Sequence, residues 1–265
     1  MVDRQVLMDA VEGSIFTLPD IPGVITVLEI PGIAAMHGPI PSPELNTAGM
    51  ARLTSETVDG TIAQVQHVFR ELNKVCGWWV TPNSRPEDLA EHLEQAGYGP
   101  VEYGAGMVLT DLDRPIATNP RIRVERSSPA ELAAAAPMVT RSYGLPAEAG
   151  DSLVQFMTGV SEHADVGLYL GYVGDSREPV AWSVSLYLPG VPIVVLQGAG
   201  TLPEQRGQGM YSTMVARRLK DARDRGMEAA VIQANRNTSA PIAEKLGFRE
   251  ILPLTLYAWD PADGS

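Results

Sequence analysis

The chain has a single cysteine, Cys76, so no internal disulfide is available, and no Cys/His cluster has the spacing of a metal site. Beside Trp78 and Trp79 the thiol reads as a small buried apolar group. Long hydrophobic runs are missing too; none approaches the roughly 20 residues needed to cross a bilayer. The N-terminal stretch MVDRQVLMDAVEGS has neither the basic flank nor the apolar block of a signal peptide, so a cytoplasmic protein is expected. Positive charge is scarce, with 20 Lys and Arg against 32 Asp and Glu and a formal net charge of -12. Nucleic acid and anionic membrane surfaces would repel such a chain, which excludes both as expected partners.

What is present is an ordinary globular composition, 45% apolar and 20% charged, over 265 residues. That length suits two domains of about 100 to 150 residues each. The acidity is unevenly spread. Residues 1–116 hold 6 Lys/Arg against 16 Asp/Glu, whereas residues 117–265 hold 14 against 16. Much of the second half's basic charge gathers in RRLKDARDR (217–225) and at Arg206, close to a glycine-bearing loop.

DLDRPIATNPRIRVERSSPAEL (111–132) reads as the join, because prolines and polar residues separate a strand-like run from a fresh strand-then-helix pattern. Ser128 is a good N-cap and Pro129 suits the first helical position. We therefore expect domains at 1–116 and 120–265. In the second, RIRVE predicts a strand, SPAELAAAAPMVTRSYG one helix and DSLVQFMTGVSEH another. VGLYLGYV, PVAWSVSLYL and VPIVVLQGAGTL read as successive strands. A helix follows from about Gln208 to Arg225, with Met210, Met214, Val215, Leu219 and Ala222 on its apolar side and Gly226 closing it. AAVIQA, SAPIAEKLGF and EILPLTLYAW complete the order as strand, helix, strand. A strand meander followed by alternating strands and helices makes a mixed α/β (α+β) sheet. The first half echoes the ending: GWWVTP, then PEDLAEHLEQAGYGPVEYGAGMVLTDL, repeats strand, helix, Gly plus aromatic, strand.

EQRGQGMYSTM (204–214) sits where a strand gives way to a helix. The start of a helix exposes unpaired N–H groups and carries about half a unit of positive charge, so it attracts anions. Gly207 and Gly209 would let the backbone approach a phosphate closely, and Arg206 adds a charge. A tight turn needing glycine for its own sake is the competing reading. No Gly-Lys-Ser/Thr of a P-loop follows, and the third glycine of a dinucleotide fingerprint is missing.

With strand, loop, amphipathic helix and EKLGF in one order, residues 120–260 resemble the GNAT superfamily of acyl-CoA-dependent N-acetyltransferases. The family's R/Q-x-x-G-x-G/A signature lies across Arg206, Gly207, Gln208, Gly209, Met210 and Tyr211, and its Leu-Gly-Phe helix end across Leu246, Gly247 and Phe248. The first half is similar to the degenerate N-terminal domain of two-domain bacterial members. The resemblance implies two tandem GNAT-like domains, each a mixed, mostly antiparallel twisted sheet flanked by helices. It also implies acetyl-CoA as co-substrate, with its pyrophosphate on the N–H groups from Gly207 to Tyr211. Ala199, Gly200 and Thr201 would pair with the pantetheine arm in the gap between their strand and AAVIQA, and Asn235 would hydrogen-bond the cofactor. The expected acceptor is an amine of a small molecule, attacked directly; a homodimer is left open. The alternatives are a non-catalytic acyl-CoA-binding or interaction protein, and acyl transfer to a hydroxyl.

The chain departs from the family's pattern in the loop and at the positions of the general acid and the general base. Tyr211 stands where Gly or Ala is usual, so its ring must point away from the pyrophosphate. Ala243 stands four residues before the helix-ending glycine, where many members have a tyrosine as general acid. The usual base positions hold Gln197 and Val195, neither of which accepts a proton at neutral pH. Gln197, orienting a water, and Tyr257, on the last strand, are the catalytic candidates. Tyr143, His37 and Asp165 are further polar candidates for the cleft; a strand or loop role competes for each.

Overall fold

The computed structural model describes residues 2–264. Helix α1 (Arg4–Gly13) leads through a 3-10 turn (Ser14–Thr17) into three short strands, β1 (Thr26–Leu28), β2 (Ala34–His37) and β3 (Thr47–Gly49). Helix α2 (Val58–Glu71), β4 (Cys76–Val80), α3 (Leu89–Gln95) and β5 (Gly99–Leu109) complete the first half. The second runs β6 (Ile122–Arg126), α4 (Pro129–Ala134), α5 (Ala136–Tyr143), α6 (Ala147–His163), β7 (Val166–Val173), β8 (Ala181–Tyr187) and β9 (Ile193–Thr201). It ends with α7 (Met210–Asp224), β10 (Ala229–Asn235), α8 (Ala240–Lys245) and β11 (Arg249–Trp259). Strands β1 to β3 and helix α1 escape sequence reading, because three- and four-residue strands are too short to show a period.

Capping explains several boundaries. Ser128 Oγ accepts from Glu131 N–H at 3.2 Å while Glu131 Oε2 accepts from Ser128 N–H at 2.7 Å, a reciprocal capping box with Pro129 just inside. The single helix expected across 128–144 is two. Pro137 has no N–H for a continuous ladder, and the chain breaks at Ala135. Helix α7 starts two residues later than Gln208, because Gly209 at φ 85° is outside helical space. Gly226 (φ 77°) and Gly247 (φ 99°) close α7 and α8 as left-handed residues.

The described strands form one sheet in the order β1-β2-β3-β4-β11-β5-β10-β9-β8-β7-β6. Only β3 with β4 and β9 with β10 run parallel. The halves are not two separate sheets, for their last strands change places. β11 pairs with β4 (Tyr257 opposite Trp78), and β5 pairs with β10 (Gly104 opposite Asn235). β5 and β11 lie side by side, antiparallel.

Alternation along β9 sorts the layers. Ile193 and Val195 face a core shared with α1 (Val11), whereas Val194 and Leu196 face α7 (Val215, Leu219) and α8 (Ala243). On the first side α4, α5 and α6 pack over β7 and β8. On the second, α2 and α3 pack beneath Trp78, Tyr98 and Trp259. No helix among the described residues is long and apolar enough to cross a membrane.

Candidate active site

Three features lie along β9 and the loop that follows it. The first is the loop before α7. Gly207 (φ 74°) and Gly209 (φ 85°) are both left-handed, a conformation that costs an L-residue about 1–2 kcal/mol. A Cβ on Gly207 would meet nothing within 4 Å, so the loop's outer side is open. The first helical bond is Thr213 N–H to Gly209 C=O at 3.0 Å, and no side chain caps the helix. The N–H groups from Gly207 to Ser212 thus have no acceptor among the described residues. Asn119 braces the loop by donating from Nδ2 to Gln208 C=O at 2.8 Å. Arg206 is exposed, and its guanidinium donates to Thr201 C=O (3.1 Å) and Ser142 C=O (2.8 Å), tying the loop to β9 and α5. The Tyr211 ring packs against the α7/α8 core.

The second feature is a split in the sheet. β9 and β10 pair only from Ile193 to Val195; beyond that β10 pairs with β5 alone and β9 with β8 alone. Gly198 (φ 34°) sits in a bulge opposite Ser183 and Val184, which turns the strand away from its neighbour. Arg218 of α7, 1% exposed, holds the bulge by donating from Nη1 to Val184 C=O (3.0 Å) and Gln197 C=O (3.3 Å). Burial pulls its pKa down.

The third is a cavity of about 560 Å³ against the split, reached by Gln197, Gly198 and Tyr143. Its apolar wall comes largely from α6 (Leu153, Phe156, Met157, Val160), and the first half contributes Ile40 to Ser42, Glu44 and Leu45. Tyr143 Oη accepts Ala199 N–H at 3.2 Å, and its ring lies 5.1 Å from that of Trp182. Burial raises the pKa of this phenol, partly offset by the Ala199 bond. Glu102 reaches the cavity from β5, so a first-half strand furnishes a second-half site. Burial raises the Glu102 pKa; Asn235 Nδ2, donating to Oε1 at 3.2 Å, opposes the rise and the charge of Glu44 adds to it.

Of the residues expected from sequence, Gln197 lines the cavity, while Ala199 to Thr201 and Arg206 to Tyr211 follow it along β9 and the loop, outside the lining. Asn235 ends β10 beside the cavity, where its Nδ2 bonds Glu102, and its Oδ1 accepts Asn237 N–H at 2.9 Å and closes the turn. Tyr257 is not brought in. It faces the first half's core opposite Trp78, 8% exposed, because the exchange of β11 carries it to the α2/α3 side. Ala243, on α8 and 1% exposed, packs into the core and offers no proton. His37 lies outside the cavity lining, its Nδ1 3.4 Å from Lys74 Nζ, and burial, then Lys74, lowers its pKa. Asp165 pairs with Arg225 at 2.7 Å.

A glycine loop opening a helix beside a splayed parallel strand pair, in a sheet whose halves repeat, decides the fold on comparison with solved structures. A GCN5-related N-acetyltransferase from Kribbella flavida aligns over 98% of this chain and 96% of its own, at TM-score 0.69 and 17% identity. The fold is that of the GCN5-related N-acetyltransferases, in tandem. A tandem GNAT protein from the clavulanic acid biosynthesis pathway aligns over 94% of this chain and 87% of its own (TM-score 0.60, 13% identity). A GCN5-related N-acetyltransferase from Sphaerobacter thermophilus covers 87% and 81% (TM-score 0.61, 14% identity). No protein-family model and no curated protein matches the sequence. Within the GNAT fold, Glu102 and Glu44 were missed by sequence reasoning. No local signal marks them, since each enters the cavity through long-range pairing or a loop.

Proposed function

We propose that the chain is an acyl-CoA-dependent N-acetyltransferase that moves an acetyl group from acetyl-CoA to an amine of a small molecule by direct attack. One observation carries the reading: the row of unpaired N–H groups from Gly207 to Ser212 at the open end of a split strand pair. Backbone donors fixed at a helix start suit a diphosphate, and the left-handed glycines keep side chains out of its way. We assign residues 120–265 as the acyl-CoA-binding domain and 1–116 as the domain that walls the acceptor side.

The acetyl thioester would supply an electrophilic carbonyl carbon. The Tyr143 hydroxyl now occupies Ala199 N–H as a carbonyl oxygen would, so that amide is an available donor for oxyanion charge. Tyr143 accepts there and keeps its own proton to give, which offers a phenol that position 243 lacks. Gln197 can hold a water but cannot take its proton. Gly200 and Thr201 offer strand edge to the pantetheine arm, Arg206 closes the loop, and Asn235 holds the turn beside it.

Calorimetric titration with coenzyme A tests the donor half. The native chain should bind it, and Gly209→Val should lose binding by at least about tenfold while retaining a cooperative melt. Unchanged affinity would sink the assignment. Thiol release over a panel of amines and alcohols tests the rest; binding without turnover on any acceptor would identify a non-catalytic acyl-CoA-binding protein.

A further inference from the structure

The cavity beside Gln197 is far larger than a two-carbon acyl group requires. We infer that the acceptor is an amine on a bulky apolar body, its ammonium held by Glu102 and Glu44, its body against α6, and that Glu102 takes its proton. This deepens the proposed function and depends on it for the acyl donor.

At about 560 Å³ the space is in the range of small-molecule pockets, roughly 300–1,000 Å³. Its walls select the occupant. Leu153, Phe156, Met157 and Val160 of α6 present a continuous aliphatic and aromatic surface, extended by Ile15 and Leu18 from the turn after α1. A polyamine or a sugar amine would leave its polar groups unpaired against that wall, a loss of about 1–3 kcal/mol for each buried group.

The charges select the headgroup. Glu44 and Glu102 line the cavity, and among the described residues no Lys, Arg or His does. An anionic acceptor would add to a repulsion that already raises the Glu102 pKa; an ammonium would relieve it. Ser42 Oγ donates to Glu44, and Asn235 Nδ2 donates to one Glu102 oxygen, leaving the other Glu102 oxygen for the ligand. The neighbours facing Glu102 are Asn235 on β10 and Glu44 in the loop after β2.

The reaction balances through this carboxylate. Glu102 takes one proton from the ammonium and releases it to solvent. The freed nitrogen lone pair forms the C–N bond to the thioester carbonyl carbon. Collapse breaks the C–S bond; the departing thiolate takes the Tyr143 proton and the second nitrogen proton restores the phenol, giving amide and thiol. A carboxylate raised by burial is the better acceptor for that first proton.

The alternative occupant is a long acyl chain on the donor, and the experiment separates the two. Calorimetry on the full chain without coenzyme A compares 4-phenylbutylamine, ethylamine, spermidine and 4-phenylbutanoate. The arylalkylamine should bind at least about tenfold more tightly than ethylamine or spermidine, from the apolar surface it buries, and the carboxylate should not bind. Glu102→Gln, which keeps an acceptor for Asn235, should weaken the arylalkylamine about tenfold, leave coenzyme A affinity unchanged, and lower kcat more than it raises KM. Equal binding of all three amines, undiminished binding by the Glu102→Gln protein, or turnover that rises from acetyl- to octanoyl-CoA regardless of the amine would overturn the inference. A chain that binds the arylalkylamine but not coenzyme A would uphold this acceptor site and sink the donor assignment instead.

Discussion

At the scale of single residues, the site and the core make opposite demands on polar groups. Cys76 shows the core's demand: burial pushes its thiol up to about 12, so little thiolate exists at neutral pH. Native protein should not react with a disulfide reagent such as DTNB, and one thiol per chain should appear only in denaturant. The same reagent can then report coenzyme A release without background. Glu102 shows the site's demand. Its native pKa is raised, so the native state holds this proton more tightly than the unfolded chain does, and stability falls as pH rises through the window above the ordinary glutamate pKa. Glu102→Gln should therefore raise Tm at neutral pH, with the gain vanishing in acid below both pKa values. Scanning fluorimetry across a pH series would show it; a variant less stable at neutral pH would mean the carboxylate is not held at a cost. The burial of Cys76 was readable beside its tryptophans, but that of Glu102 is not visible in the string VEYG, because burial of an alternating strand residue depends on what packs over it.

Elements are where the sequence was most informative. Ser128, Pro129, Gly226 and Gly247 mark helix ends by chemistry within four residues, and the structure keeps all four. Ser128→Ala removes the donor-acceptor pair that starts α4 and should lower the unfolding free energy by about 1 kcal/mol, read from denaturant melts. The break at Ala135 was equally local, yet a reading by apolar spacing passed over the one signal for it, Pro137. The glycine loop was legible as a loop with unspent N–H groups, and its geometry follows from two positive φ angles. The split between β9 and β10 was not legible in itself, since it is a relation between strands about 30 residues apart; only the family resemblance supplied it.

At the scale of the whole molecule, exchange of the last strands binds the halves together. Taken alone, residues 120–265 would lack β5 between β10 and β11 and the α1 cover over β9. Both strands would present long unpaired edges, the feature that drives aggregation. The isolated fragment should be aggregated or molten by size exclusion and near-ultraviolet dichroism, and co-expression with residues 1–116 should restore a 1:1 folded complex. A cooperative, monomeric melt from the fragment alone would show that the exchange adds no essential stability. The same exchange explains why Tyr257 is remote from the cleft while Glu102 is inside it.

The amino-acid sequence alone determined the strand and helix order from β4 onward apart from the break at Ala135, the helix caps, the closing glycines and the charge balance of each half. These depend on side-chain sterics and hydrogen bonds between near neighbours, which a string of residues displays directly. Tertiary structure decided which face Tyr257 and Glu102 occupy, how the two halves interlock, and that a large apolar space opens beside Gln197. Those are properties of surfaces formed by residues far apart in the chain, and a one-residue difference in register or a strand placed one position along the sheet would alter every one of them.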